Sequence, residues 1–436
     1  MNDLQLVSNR VRERAAEALV AHRAASRESG SASSALDEES VIRAACAQVL
    51  DHEASSRLLS GRPTFDIEFE QRTTKRIVDE LLGMGPLQEL LDDPEITDIH
   101  VRGTAPVWVK KRDGSRVEIP SIVSEPDELV ALVRNAASRS SRGERRFDAS
   151  TVECNLCLED GSRLFAVMDV SSQPSVVIRK HQFGLASLDD LEQTGLFDAR
   201  ISDFFRSAVR ARRNIVIAGG TGSGKTTLLR ALINEIPREE RIVTIEDAYE
   251  LGVDRFEHLH PDHDALQSRP PNIEGNGAIP LSDLTRMALR MDPDRVIVGE
   301  VRGAEAFPML MAMSQGNNGS MCTLHADSTM SVFPKLAAYV SMAETGLPVD
   351  IVNLVIASAL HLVVHIELRQ GRRRITSIRE VVDADGARII SNEIFSSAND
   401  GRLESAFPMT ADLRDLLAEH GLDDHRGQSF RFPVVA

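Results

Sequence analysis

Cysteine, tryptophan and tyrosine are nearly missing from this chain of 436 residues, which holds 4, 1 and 2 of them. Four scattered thiols (Cys46, Cys154, Cys157 and Cys322) cannot frame a disulfide scaffold, and they fit a reducing compartment such as the cytoplasm. The shortage of aromatic rings removes the stacking platforms on which single-stranded nucleic acid is held. A surplus of positive charge is missing as well. Fifty basic against 66 acidic residues leave a formal charge of -16, which repels phosphate backbones and anionic lipid unless local patches override it, so no stable nucleic-acid partner is expected. No apolar run reaches the ~20 residues of a spanning helix. The most apolar window, "IVNLVIASALHLVVHI" (351–366), is broken by Asn353, His361 and His365, so any membrane contact is expected to be peripheral. The opening "MNDLQLVSNRVRER" has Asp3 ahead of any basic residue and no apolar stretch, and is not expected to act as a secretory signal.

With 42% hydrophobic residues, the chain is large enough for two or three domains. Leu4, Val7, Val11, Ala15, Ala18 and Leu19 recur at helical spacing. "SRESGSASSA" then interrupts, a second helix opens at "LDEES", and a third, "FEQRTTKRIVDELLG", ends at Gly83. Residues 1–75 therefore read as a helical extension with a Ser-rich linker. From "ITDIHV" to "VVIRKH" short Val- and Ile-rich runs are separated by two Asp-Gly turn signals, giving a mixed α+β amino-terminal domain over 76–185. Cys154 and Cys157 fall on opposite faces of a strand and have no second ligand pair, so metal is not expected there. "HQFGLASLDDLEQTG" reads as a polar join. Beyond it, over 186–436, strands and helices alternate at the long spacing of a parallel sheet.

Glycine is not scarce. "NIVIAGGTGSGKTTLLRAL" (214–232) runs from an apolar strand through Gly219, Gly220, Thr221, Gly222, Ser223 and Gly224 into a helix opening with Lys225, Thr226 and Thr227. Gly219 through Thr226 spells G-x-x-x-x-G-K-T between a strand and a helix, the context a phosphate-binding loop requires. Glycines let the backbone amides ring a triphosphate, Lys225 balances its outer charge, and Thr226 offers a hydroxyl to Mg2+. Three later apolar runs end in groups able to act beside that loop. "RIVTIED" ends at Glu246 and Asp247, "DRVIVGEVRG" carries Glu300, and "GSMCTLHADS" carries His325. Gly299 stands where an aspartate usually supports the metal, which leaves Glu246 as the nearest carboxylate for it. The fold class that follows is α/β, a P-loop NTPase domain that hydrolyses ATP or GTP with Mg2+, with Glu300 as the best candidate to orient water.

The phrases "GGTGSGKTT", "TIED..EL", "LQSRPPNIEGNGAI", "ALRMDPDRVIVGEVRGAEAF" and "NNGSMCTLHADS" resemble the motifs of secretion-superfamily ATPases. "RPPNIEGNG" makes the resemblance strongest to the CpaF/TadA branch of tight-adherence pilus ATPases. It covers roughly residues 75–385. The resemblance implies a RecA-like P-loop NTPase core with ATP as the nucleotide, in a homohexamer under the cytoplasmic face of a membrane that hydrolyses ATP to drive pilin assembly through a multi-span inner-membrane platform protein. It also implies that Gly219 to Thr227 is the Walker A loop, that Glu246 belongs to the Asp box and Glu300 to Walker B, and that His325 reports the terminal phosphate. Arg163 and Arg179 match arginines that reach the phosphates from the amino-terminal domain. Arg269 and Arg302 lie in motifs of the branch as interface or phosphate-sensing candidates. A nucleic-acid motor with the same core, a conjugation-type secretion ATPase and a slow nucleotide-switched scaffold are the alternatives. The basic runs at 139–146, 210–214 and 369–374 read as solvated faces, or as docking sites for a membrane platform or anionic lipid.

Overall fold

The computed structural model describes residues 3–29, 34–139, 146–158, 160–180, 186–269, 271, 275–369, 371–386, 388–398 and 402–422. Parts of the Ser-rich linker, of the basic run at 139–146, of "RPPNIEGNG" and of the join at 181–195 lie outside them, as does position 370 of the run at 369–374. The chain divides into two compact units, Met1–Gln182 and Phe183–Ala436.

In the first unit, three helices form one small core: α1 (Asp3–Ser29), α2 (Ala35–Leu59) and α3 (Ile67–Leu81). Val7, Val11, Ala15 and Leu19, four apart on α1, meet Ile42, Cys46 and Leu50 of α2 and Ile77 of α3. Ser34 starts α2 through a capping box with Asp37, and Asp66 starts α3 by accepting the Phe69 N–H. Beyond them comes an antiparallel sheet of β1 (Ile96–Arg102), β2 (Val107–Lys111), β3 (Arg116–Ile119), β4 (Glu153–Cys157), β5 (Arg163–Val167) and β6 (Ser175–Arg179). Its order is β3-β2-β1-β6-β5-β4. Asp113-Gly114 and Asp160-Gly161 do turn the β2–β3 and β4–β5 hairpins, each glycine in the left-handed region. Alternate strand residues share a core with helix Pro126–Arg139, and Cys154 is among them.

The second unit holds β7 (Ile215–Gly219), β8 (Ile242–Glu246), β9 (His263–Gln267), β10 (Arg295–Val301), β11 (Met321–Leu324), β12 (Leu362–Arg369), β13 (Arg372–Asp385), β14 (Arg388–Ser397) and β15 (Leu403–Ser405). The sheet order is β15-β14-β13-β12-β7-β11-β10-β8-β9. From β12 to β9 every pairing is parallel, and β13 to β15 add an antiparallel extension. Ile215 and Ile217 enter one core and Val216 and Ala218 another, so helices cover both faces and the central strands are apolar throughout. The phosphate-loop strand β7 lies between β12 and β11, and β10 lies next to β11. This is the RecA-like order, and it brings the carboxyl ends of β7, β11 and β10 together.

Two stretches differ from their sequence expectation. In the polar join, Leu188–Gln193 is a helix capped by Ser187 and Asp190, with Leu188 and Leu191 buried in the second unit's core. Its two leucines, three apart, outweigh the polar composition. The apolar window at 351–366 splits between helix Val349–Ala359 and β12, with His361 at the junction. Among the described residues, no helix is long and apolar enough to cross a membrane.

Candidate functional site

The loop from Gly219 to Gly224 depends on glycine at both ends. Gly219 has φ 155°, and a Cβ on it would stand 2.2 Å from the Ile366 carbonyl oxygen. Gly224, with φ 103°, heads helix Lys225–Ile233, and a Cβ there would come 3.0 Å from Cδ of Arg373. On the open side, a Cβ at Gly220 or Gly222 would meet nothing within 4 Å. The Ser223 hydroxyl is buried without a hydrogen-bond partner. An orphaned donor in a cradle of backbone amides at a helix start fits a phosphate chain. Thr221 and Thr227 are exposed at the loop and on the first helical turn.

Lys225 is only 7% exposed, and its ammonium donates to the carbonyl oxygens of Gly219 (3.1 Å) and Gly220 (2.9 Å). Burial holds it below the ordinary lysine value, opposed by the nearby charges of Glu300 and Glu250. Its Nζ also lies 3.2 Å from Nδ1 of His325, whose Nε2 lies 2.7 Å from Oε1 of Glu300. An ammonium only donates, so Nδ1 must accept, and the ring proton sits on Nε2, pointing at Glu300. A neutral His325 thus joins the phosphate-loop lysine to the carboxylate of β10. The local backbone explains the aim of Glu300: pairing with β11 slips by one residue between Val298 and Val301, and the Thr323 hydroxyl donates to the Gly299 carbonyl at this bulge.

Glu246 and Thr226 are the sequence's metal candidates. Glu246 is 3% exposed, and its Oε1 accepts the backbone N–H groups of Glu250 (2.7 Å) and Leu251 (2.8 Å), shaping the turn after β8. A Cβ on Gly299 would stand 3.1 Å from Cγ of Glu246, so glycine at the aspartate position leaves room for this side chain. The carboxylate beside the Thr226 hydroxyl is Glu250, at 3.5 Å. Thr226 and Glu250 offer the hard oxygen donors that Mg2+ takes. Sequence reasoning did not single out Glu250, although it sits inside the "TIED..EL" phrase.

Arg302 reaches Oδ2 of Asp247 at 2.5 Å, while Oδ1 accepts the Ser268 hydroxyl at 2.6 Å. The Arg269 side chain donates to the Gly277 carbonyl at 2.8 Å and so closes its own loop. Arg163 and Arg179 belong to the first unit, where they stand directly opposite each other across β5 and β6. Arg179 pairs with Asp98 at 3.2 Å and remains 68% exposed. Of the basic runs, 210–214 is partly internal: Arg212 donates to the Asn318 and Asp294 carbonyls and pairs with Glu240. In the run at 369–374, Arg373 donates from Nε to the Gly222 carbonyl at 3.2 Å, which the sequence pattern did not reveal.

The model of one protein family, type II/IV secretion system protein, matches residues 82–393. A Mycobacterium tuberculosis (strain H37Rv) protein named for conjugal transfer is 34% identical over 317 residues, 70% of this chain and 87% of that protein. The type IV secretion system protein VirB11 of Brucella suis is 30% identical over 337 residues, 71% of this chain and 91% of that protein. The crystal structure of the Brucella suis VirB11 ATPase with sulphate is similar at 29% identity and TM-score 0.37, covering 67% of this chain and 94% of that one.

Proposed function

The chain belongs to the type II/IV secretion system protein family, and on that premise we propose that it is a Mg2+-dependent ATP hydrolase that powers a secretion or pilus machine. The observation that carries the reading is the Lys225–His325–Glu300 chain at the mouth of the glycine loop. Bound nucleotide supplies the phosphoanhydride to be cleaved, and Mg2+ supplies charge neutralisation. The rest falls to the protein. The amides of 220–226 and the Lys225 ammonium bind the phosphates, so Lys225 exchanges the Gly219 and Gly220 carbonyls for phosphate oxygens. His325 then loses the donor at Nδ1 while Nε2–H still holds Glu300, which orients a water and accepts its proton. Thr226 and Glu250 would hold the metal, with Glu246 shaping the turn that carries Glu250. Arg179 and Arg163 are the candidates for a phosphate-directed arginine, since a guanidinium can meet two terminal oxygens at once.

The family's secretion machinery suggests a homohexameric ring at the cytoplasmic face of a membrane, working with a multi-span platform protein. Two system types remain to be separated. "RPPNIEGNG" favours CpaF/TadA-type pilus assembly, whereas the relatives named for conjugal transfer and for type IV secretion favour a conjugation-type secretion ATPase. We take the pilus reading, because that phrase lies beside the nucleotide motifs. Turnover of the purified chain, measured with candidate platform proteins in vesicles and with DNA at physiological salt, tests it. Stimulation by a pilus platform protein supports it. Stimulation by DNA alone, or only by a conjugation-type membrane complex, sinks it.

A further inference from the structure

The basic run at 369–374 has a specific place in the fold. In the parallel pairing of β12 with β7, Ile366 stands opposite Gly219, where the phosphate loop begins. β12 then runs on to Arg369, beyond the end of β7, and β13 returns antiparallel with Arg373 opposite Leu368. The hairpin therefore overhangs the loop. There the Arg373 Nε–H donates to the Gly222 carbonyl at 3.2 Å, and its Cδ lies against the space beside Gly224.

We propose that Arg373 is a positioning residue for nucleotide phosphate, bracing the phosphate loop from outside within the same chain; this rests on the nucleotide reading of that loop. In a loop whose amides turn inward toward an anion, the carbonyls on the other side of the same peptide units turn outward and need donors. Gly222 C=O and Ser223 N–H belong to one peptide unit. A guanidinium at the carbonyl polarises that unit and makes the N–H a stronger donor to phosphate. It also brings a permanent positive charge to the loop's outer face without occupying the cradle. The Ser223 N–H now makes only a long 3.4 Å bond to the Gly220 carbonyl, so it is readily given up to an incoming oxygen. Arg372, the residue before it on β13, points to the other face by strand alternation. The brace is thus a contact of the Arg373 side chain and not the summed charge of neighbouring Arg372.

The test is equilibrium binding of ATP, ADP and inorganic tripolyphosphate to the full chain, with turnover at saturating ATP and melting temperature on the same samples. Arg373→Ala is expected to weaken all three ligands by about tenfold, the size of losing a charge-assisted hydrogen bond. Turnover at saturation changes by less than about threefold, and Arg372→Ala binds like wild type. Arg373→Lys, which keeps a charged donor, recovers part of the loss, and Arg373→Gln reports the same site should the alanine variant fail to fold. Unchanged affinity in the folded variants overturns the proposal, as does a loss shared equally by Arg372→Ala. A loss for ATP and ADP that spares tripolyphosphate also overturns it, since the contact would then be to the nucleoside. Failure of the wild type to bind any of the three would instead remove the nucleotide reading.

Discussion

His325 connects two groups that have different tasks. Its Nδ1 accepts from Lys225, proposed to bind phosphate, and its Nε2 donates to Glu300, proposed to orient water. Residues that act as one unit give non-additive losses. His325→Ala is expected to slow ATP turnover by on the order of tenfold to a hundredfold. Added to Glu300→Gln, the same change should cost less than about threefold more, because the carboxylate it positions is gone. Steady-state turnover of the two single variants and the double variant checks this, and full additivity would mean that the contact has no catalytic role. The two glutamates after β8 separate in the same way. Glu250→Ala should raise the Mg2+ concentration for half-maximal turnover by about tenfold, as a lost ligand or near-ligand does. Glu246→Gln should chiefly lower the melting temperature, since a buried acceptor of two backbone amides is worth about 1–3 kcal/mol when impaired. Titrating Mg2+ against turnover in both variants distinguishes the roles, and an equal metal defect would return Glu246 to the metal.

Strand ends decide where these residues meet. The phosphate loop, Glu246, Glu300 and His325 were legible because local signals carry them: a glycine pattern of fixed spacing and three apolar runs, each with its polar group at the carboxyl end. Glu250 was partly legible, lying inside a recognised phrase. Arg373 was not, because its place depends on the register of β12 against β7, a pairing of distant residues that no local pattern encodes. The fate of 351–366 was hidden for a related reason, since a short apolar run fits a buried helix or a central strand equally well. His361, at that junction, accepts the Asn214 N–H at Nδ1 (2.9 Å), and burial with Arg213 nearby pulls its pKa from 6.5 down to about 4. The unfolded chain therefore takes up this proton first. The stability that rests on neutral His361 is complete above about pH 6.5 and is lost as the pH falls toward 4. Thermal unfolding of wild type and His361→Gln between pH 7 and 5 should show a flatter pH slope in the variant, by about 1–2 kcal/mol at pH 5. Parallel slopes would contradict the assignment. On the first unit, Arg163 and Arg179 stand opposite each other across β5 and β6, with Asp98 of β1 paired to Arg179. Arg179→Ala removes an exposed ion pair worth ~0–1 kcal/mol, so the melting temperature should barely move. Turnover should fall by on the order of a thousandfold, as when a phosphate-directed arginine is lost. Normal turnover would send the search to Arg163, Arg269 or Arg302.

For the whole molecule, the proposed phosphate loop, Glu300 and His325 all lie within the RecA-like unit, and Arg163 and Arg179 lie on the sheet of the other unit. An acidic chain can still close into a ring, because a head-to-tail interface needs complementary patches and not a neutral total. Everything at this scale depends on the central claim that the glycine loop and Glu300 form an ATP-cleaving site. It is tested most directly by measuring ATP binding and ATP turnover on the same preparations of wild type and Glu300→Gln. The expected result is wild-type turnover, with ATP affinity in the variant held within a few fold while its turnover drops by about a hundredfold or more. Equal turnover in the two proteins, or loss of binding in step with loss of turnover, would contradict it.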